Sequence, residues 1–427
     1  MIEPPFNPFI NAVYFCQNIS HSKIQYSNAP LLHGKFCSAA QSIGHRLKEG
    51  SYLGEESGES MGKHLVIVGA GHAHLTVLKN LKEFKDSGHR VTVVSSSPLH
   101  YYSGMGPGML SGIYRPEEIR FDVKKMSEDR GAAFVEDHVV KIRPQEKKLD
   151  LHSGNEIAYD VLSLNTGSYV PAMEPLPGDQ SIFTVKPIEK LLLARRRISE
   201  DLKVKDLGIT VVGGGPAGVE VAGNLERLAK MATGRCRITL VAGTRLLSGF
   251  KSSVRERALR SLTSRLVQVT EGAKVTALKD HKAELSNGDV LEYDYVFMAV
   301  GVKPSPLFID SGLPAGQDGG MLVNKFLQSV AYPEIFGGGD CISFEPQPLA
   351  KVGVYAVRQN PILLHNLLGT LKGGALQEFV PQKTFLLALN MGDGTAVVRW
   401  HSLVWSGPLG FALKNYIDRK FMKAFQA

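Results

Sequence analysis

Cysteine is scarce in this chain. Its 427 residues hold four, Cys16, Cys37, Cys236 and Cys341, and no two of them make a Cys-x-x-Cys pair or a zinc-ligand spacing. A chain of this length with four cysteines has no disulfide framework, so a reducing compartment, the cytoplasm, is expected, and no metal site. Long apolar runs are missing too. No stretch of 18 consecutive apolar residues occurs, so no ordinary membrane-spanning helix is expected. The excess of one charge is modest: 49 Lys and Arg against 41 Asp and Glu, a net +8. Those basic residues are scattered and no stripe interleaves them with aromatics, so no nucleic-acid partner is expected. Attraction to an anionic membrane surface is the better use of the excess. With 43% hydrophobic and 21% charged residues the chain reads as globular, and it is long enough for two or three domains with their own cores.

Glycine, at 44 residues, is plentiful, and two of the turns it makes are informative. The first reads His64-Leu-Val-Ile-Val-Gly69-Ala-Gly71-His72-Ala73-His74. The second reads Gly208-Ile-Thr-Val-Val-Gly213-Gly-Gly215-Pro-Ala-Gly218-Val-Glu220. A strand that runs into such a turn, with a helix after it, cradles a dinucleotide pyrophosphate. The glycines let the backbone bend and approach the phosphates, and the helix N-terminus supplies free N–H groups and a partial positive charge. Two such turns predict two dinucleotides held against each other, the arrangement in which a nicotinamide hands a hydride to a flavin.

Residues 1–62 carry Asn, Ser, Pro and His in irregular order and predict a disordered extension, with Met61 as the functional start and a targeting arm as the alternative. From Lys63 the pattern becomes regular: a strand over 64–68, a helix over 73–85 and a strand over 90–95. Strands alternate around 132–164, and a second strand–helix–strand unit covers 208–242. The stretch Pro333 to Cys341 then returns to the first domain. The expected fold is α/β: two Rossmann-type domains and a small C-terminal α+β unit. One domain is split between 63–170 and 302–380, the other is inserted over 171–301, and the last unit spans 381–427. In that unit Leu409, Leu413, Tyr416, Ile417 and Phe421 recur at helical spacing, with Lys414, Arg419, Lys420 and Lys423 mainly opposite. Such a helix either lies in a bilayer interface or docks on the protein body, so peripheral attachment to the inner face of the membrane stays open.

The order of motifs resembles the two-dinucleotide-binding flavoproteins of the pyridine nucleotide-disulfide oxidoreductase superfamily. It is closer to type II NADH dehydrogenases, the single-chain NAD(P)H:quinone oxidoreductases. It is closest to the dehydrogenase-like module found alone or fused to selenophosphate synthetase. The segments that carry the resemblance are Gly69 to Leu75, Tyr102-Ser-Gly-Met-Gly-Pro-Gly-Met109, Pro348 to Gln359 and Tyr416 to Met422, and it spans about 63–425. It implies FAD and NAD(P)H as cofactors and a quinone or other small electron acceptor as partner. A homodimer is allowed.

By this resemblance Gly69, Gly71, His72 and Ala73 hold FAD, with His74 at the place of the usual third glycine. Ser95 stands where an acidic residue usually binds the adenosine ribose, and Val139, with Val140 as the alternative, meets adenine through its backbone. Thr166, Gly167 and Gly301 end strands beside the cofactors, and Asp340, after Gly339, meets the ribityl hydroxyls. Gly213, Gly215 and Gly218 bind NADH or NADPH. Glu220 faces the nicotinamide near the flavin, or is an ordinary first-turn acid favoured by the helix dipole. The next strand ends Val241-Ala-Gly-Thr244-Arg245 without the Asp or Glu that holds a ribose diol, which leans toward NADPH or dual use. Of the two glutamines that flank the quinone in type II dehydrogenases only Gln359 is kept, and Tyr355 stands in place of the first. The candidate catalytic residues are therefore Glu220, Tyr355 and Gln359. Disulfide reductases carry Cys-x4-Cys where this chain has Tyr101 to Ser111 without cysteine, which excludes a dithiol relay there. A sulfur- or selenium-linked oxidoreductase using Cys236 or Cys341, and a non-catalytic flavin sensor, are the alternatives.

Overall fold

The computed structural model describes residues 62–171 and 179–426; the extension expected before Gly62 lies outside the described residues. Two five-stranded sheets dominate, and every pairing in them is parallel. The first has the order Ile335–Gly337, Val161–Leu164, His64–Val68, Arg90–Ser95, Ala133–Glu136. The second has the order Ile182–Thr184, Tyr295–Met298, Leu207–Val212, Cys236–Val241, Gln268–Thr270. The central strands are runs of Val, Ile and Leu because a parallel sheet is covered on both faces; all five residues of His64–Val68 are buried. In each sheet the glycine turn leaves the carboxyl end of the central strand, where strand order reverses and a crevice opens.

Short antiparallel sheets are added to both. One lies within Val139–Ala158, another within Val275–Glu292. A third is the meander Leu387–Asn390, Ala396–Trp400, Leu403–Gly407, followed by the helix Pro408–Phe425. The architecture is the α/β fold read from the sequence, two parallel Rossmann-like sheets with an antiparallel C-terminal unit. Among the described residues no helix is long and apolar enough to cross a membrane.

Two elements differ from expectation. The helix predicted over 73–85 is a 3-10 turn, His72–His74, and two short helices, Leu75–Lys79 and Leu81–Asp86. The break is at Asn80, whose side-chain Nδ2 donates to Thr76 O at 2.7 Å and competes with the backbone for that carbonyl. The C-terminal helix is also turned from the orientation its apolar stripe suggests. Its covered face is Gly410, Lys414, Asp418, Phe421, Met422 and Phe425. Leu409 and Tyr416 are 80% and 51% exposed. Gly410 fixes this rotation, because a Cβ there would come within 2.9 Å of Ala396 O, so only this residue allows the helix to lie so close to the meander.

Candidate functional site

At the first turn the backbone of Gly69 has φ +80°, and a Cβ there would lie 2.4 Å from Asn165 O. A Cβ on Gly71 would lie 2.6 Å from Asn165 Oδ1, and one on Gly339 2.7 Å from the same atom. Two distant segments therefore close on Asn165 at the end of the strand Val161–Leu164. His74, at the third-glycine position, is fully buried. Its Nδ1 lies 2.6 Å from Gly69 O and its Nε2 2.8 Å from Ser163 Oγ. A carbonyl only accepts, so Nδ1–H donates to Gly69 and the Ser163 hydroxyl donates to Nε2. Burial lowers the His74 pKa to about 4, which keeps the ring neutral as this bridge requires. The imidazole thus ties turn to sheet where a glycine would let them touch.

The helix Gly353–Lys372 forms the opposite wall. Gln359 is 1% exposed and its Oε1 accepts from Gly339 N at 2.7 Å. Next to it, Asp340 Oδ2 accepts from Ser168 Oγ at 2.9 Å and from Lys186 Nζ at 2.6 Å, and Lys186 also reaches Ser168 Oγ at 3.0 Å. Lys186 escaped the sequence reading because no motif surrounds it. Ala73 is buried and packs where a Cβ on Gly338 would meet it at 2.9 Å. Thr166 is exposed, and Gly167, at φ +73°, has open space around its would-be Cβ. Ser95 ends a strand of the first sheet and its O accepts from Asp137 N at 3.0 Å, while Val139, two residues on from Asp137, opens the antiparallel sheet that follows. Tyr355 is half-buried, its ring edge-on to Phe385 at 6.2 Å.

His72 and His100 meet at 5.0 Å between ring centroids, with Tyr102 at 5.2 Å and Phe421 at 6.1 Å from His72. Burial, then Lys186, lowers His72 to about 4; burial, then His72 and Lys186, lowers His100 well below the usual imidazole range. The Nε2 atoms of both rings and Asn165 Nδ2 are buried without a hydrogen-bond partner among the described residues. Orphaned buried polar atoms beside a cradle of glycines mark a place for a polar ligand. That arrangement fits the expected FAD, whose hydroxyls and phosphates would satisfy them.

The second turn repeats the logic. Gly213 has φ +126°, and a Cβ there would lie 2.3 Å from Ala299 O. A Cβ on Gly218 would lie 1.8 Å from Gly213 O, so this glycine is what seats the helix Pro216–Met231 on the turn. Gly215 and Gly301 are different: a Cβ at either meets nothing within 4 Å. Gly215 faces open space at the helix N-terminus, with Pro216 at the first helical position, a geometry able to receive a phosphate.

Glu220 lies one turn into that helix. Its Oε1 accepts from Asn390 N at 2.8 Å. Burial raises its pKa to about 7, against the opposing pull of Lys414 and the Asn390 N–H, with Asp418 adding to the rise. Lys414 Nζ donates to Asp418 Oδ2 at 2.6 Å and to Gly104 O at 2.7 Å, and Tyr102 OH donates to Asp418 Oδ1 at 3.1 Å. Burial alone would lower the Lys414 ammonium, but Asp418 and Glu220 hold it above its ordinary value. One turn beyond Glu220, Asn224 Nδ2 donates to Glu220 O at 2.7 Å while Ser111 Oγ donates to Asn224 Oδ1 at 2.7 Å. This buried polar cluster joins the loop after Tyr101, the helix Pro216–Met231 and the C-terminal unit. Sequence reasoning found Glu220 and missed Lys414, Asp418 and Asn390; the i, i+4 spacing of Lys414 and Asp418 was the available signal. A carboxyl that titrates near neutrality beside a fixed ammonium can hold or release a proton at physiological pH.

Neither cysteine in the described residues is poised as a thiolate. Cys341 is fully buried, its Sγ donates to Gly338 O at 3.2 Å, and burial raises its pKa. Burial pushes the Cys236 thiol up to about 12. Among the described residues no group of three or more His, Cys, Asp or Glu is arranged to hold a metal.

Residues 63–360 match the model of the family described as pyridine nucleotide-disulphide oxidoreductase. A type II NADH:quinone oxidoreductase of Staphylococcus saprophyticus is 24% identical over 386 residues, 84% of this chain and 94% of that protein. Ferroptosis suppressor protein 1 of Taeniopygia guttata is 29% identical over 279 residues, 63% of this chain and 72% of that protein. Among solved structures, NDH2 of Plasmodium falciparum in complex with NADH superposes with a TM-score of 0.72 at 14% identity, covering 84% of this chain and 96% of that one. The sulfide:quinone oxidoreductase of Aquifex aeolicus gives 0.71 at 16% identity, covering 86% and 92%. These structural likenesses establish a shared fold.

Proposed function

The chain belongs to the pyridine nucleotide-disulphide oxidoreductase family, and on that premise we propose that it is an FAD-dependent NAD(P)H oxidoreductase that delivers two electrons to a quinone-type acceptor. The observation that carries the reading is the pair of glycine cradles at the ends of two parallel sheets, joined by a buried cluster around a carboxyl that titrates near pH 7. The type II NADH:quinone oxidoreductase of Staphylococcus saprophyticus, matched over 94% of its length, supports the quinone as acceptor class.

In this reading Gly69, Gly71, His72, Ala73, Ser95, Val139, Thr166, Gly167, Gly339 and Asp340 hold FAD, and Gly213, Gly215, Gly218 and Gly301 hold NAD(P)H. The flavin, when bound, supplies the hydride acceptance and the two-electron delivery. The protein's own share is position and charge. Lys186 and Ser168 hold the Asp340 carboxylate in one orientation. Gln359 is a positioning residue, acting through its bond to Gly339 N. Reducing a quinone to a hydroquinone takes two electrons and two protons, and a hydride brings only one proton. Glu220, near half-protonated at neutral pH, holds the second at its carboxyl, and Lys414 keeps a positive charge beside it. The half-buried Tyr355 ring offers a planar acceptor a face to stack on.

The outward Leu409 and Tyr416, with Leu403 exposed on the meander and Lys423 exposed on the helix, form the surface by which a cytoplasmic protein would rest on a membrane. The sulfur- or selenium-linked alternative asks for a reactive thiol, and both described thiols are held protonated. The test is steady-state NAD(P)H oxidation with a soluble quinone as acceptor. Wild type is expected to turn over and Glu220→Gln to lose most kcat while still binding the dinucleotide. Turnover unaffected by that substitution would remove Glu220 from the mechanism.

A further inference from the structure

The adenosine ribose of a dinucleotide is read at the end of the strand that follows the glycine-turn helix, here Cys236–Val241. A carboxylate at that place accepts both hydroxyls of a ribose diol and repels a 2′-phosphate. This chain has Ala242, Gly243, Thr244 and Arg245 there. The absence of an acid is built into the packing. Ala242 is buried, and a Cβ on Gly214 of the turn would lie 2.6 Å from the Ala242 Cβ, so the turn rests directly on this small residue. Leu247 N ties the same segment to Gly214 O at 2.7 Å.

The carboxylate that the structure does bring to this loop is Glu271, and both of its oxygens are engaged. Oε1 accepts from Leu246 N at 2.6 Å and Oε2 from Arg255 at 2.6 Å. It therefore already serves the loop, through one bond to each oxygen. The other outward groups around the loop are of the opposite kind. Thr244 and Arg245 are both exposed. Lys274, also exposed, runs its stem past Gly243, 3.8 Å from where a Cβ would be. Gly243 takes φ +71°, which presents Thr244 and Arg245 at the tip of a tight turn. Two cations and a hydroxyl around one turn, with the local carboxylate bonded to Leu246 N and Arg255, suit a phosphate dianion better than a free ribose diol.

We propose that this turn selects NADPH over NADH by binding the 2′-phosphate through Arg245, Lys274 and Thr244. The inference rests on the reading that the second glycine turn holds the nicotinamide donor. Its test is direct binding of NADP⁺ and NAD⁺ to the purified holoprotein by calorimetry, for wild type, Arg245→Ala and the double variant Arg245→Ala/Lys274→Ala. Both side chains are on the surface, so the variants keep the fold. Wild type should bind NADP⁺ at least about tenfold more tightly than NAD⁺, the yield of one charge-assisted bond. The substitutions should erase that preference, leave NAD⁺ binding unchanged, and flatten the loss of NADP⁺ affinity with added salt. Equal binding of the two nucleotides by wild type, or a preference that survives in the double variant, overturns the selection while the donor site stands. Binding of neither nucleotide overturns the donor site and the selection with it.

Discussion

Replacing Asp418 by Asn keeps the shape of the side chain and removes its charge. The partner, Lys414, is 8% exposed and Asp418 7%, with 2.6 Å between them. An exposed pair of this kind would contribute about 0–1 kcal/mol. A buried one behaves differently, because loss of one partner strands the other charge away from water at a cost of about 3–5 kcal/mol. Lys414 keeps Gly104 O as a hydrogen-bond acceptor and the charge of nearby Glu220, and the Asn amide oxygen can still take one hydrogen bond, so the expected loss is about 3 kcal/mol, the lower end of that range. Lys414→Met alone leaves Asp418 with Tyr102 and should cost a similar amount. The double variant Lys414→Met/Asp418→Asn strands neither member of the pair, and Glu220, freed of the Lys414 pull that lowers its pKa, shifts toward its neutral form; it should therefore be less destabilised than the two single losses added together, by about 2 kcal/mol or more. Urea unfolding followed by tryptophan fluorescence reads the right place, since both tryptophans, Trp400 and Trp405, lie in the meander next to this helix. Single losses below about 1 kcal/mol that simply add would show a solvated pair and refute the buried-cluster reasoning.

Three further outcomes are expected. Glu220 has its folded pKa raised to about 7 from 4.5, so the stability of its neutral form is present below about pH 4.5 and lost as pH rises through 7. Glu220→Gln should therefore gain on wild type between pH 5 and 8, by up to about 3 kcal/mol, in urea midpoints taken across that range; parallel curves would count against the buried carboxyl. Asp340→Ala removes the partner of Lys186 and Ser168 and should release flavin on gel filtration, whereas full retention would contradict the first cradle. Gly215→Ala should leave the thermal midpoint unchanged and weaken dinucleotide binding, because its Cβ enters open space on the ligand side. Gly218→Ala should lower the midpoint, because its Cβ would lie 1.8 Å from Gly213 O; equal midpoints for the two would undo this division of labour.

The turns were legible in the sequence because their glycines answer local demands. The carbonyls that crowd Gly69, Gly213 and Gly218 belong to strand ends and turns that any such unit supplies. Glu220 was legible for the same reason, standing one turn into the helix that the second motif opens. Its surroundings were not: the Asn390 N–H comes from 170 residues away, and Lys186 reaches Asp340 across 154. Periodicity announced the C-terminal helix but said nothing of which side docks. The contact of Gly410 with the meander decides that, and it turns Lys414 and Asp418 inward. The break at Asn80 comes from a single side-chain bond that the apolar spacing does not register.

The central claim is tested most directly by anaerobic titration of the purified holoprotein with NADPH and then NADH, followed by addition of a soluble quinone. The account predicts bound flavin whose visible absorbance bleaches on adding NADPH and returns when the quinone is added. Bound flavin that neither nucleotide reduces would contradict it.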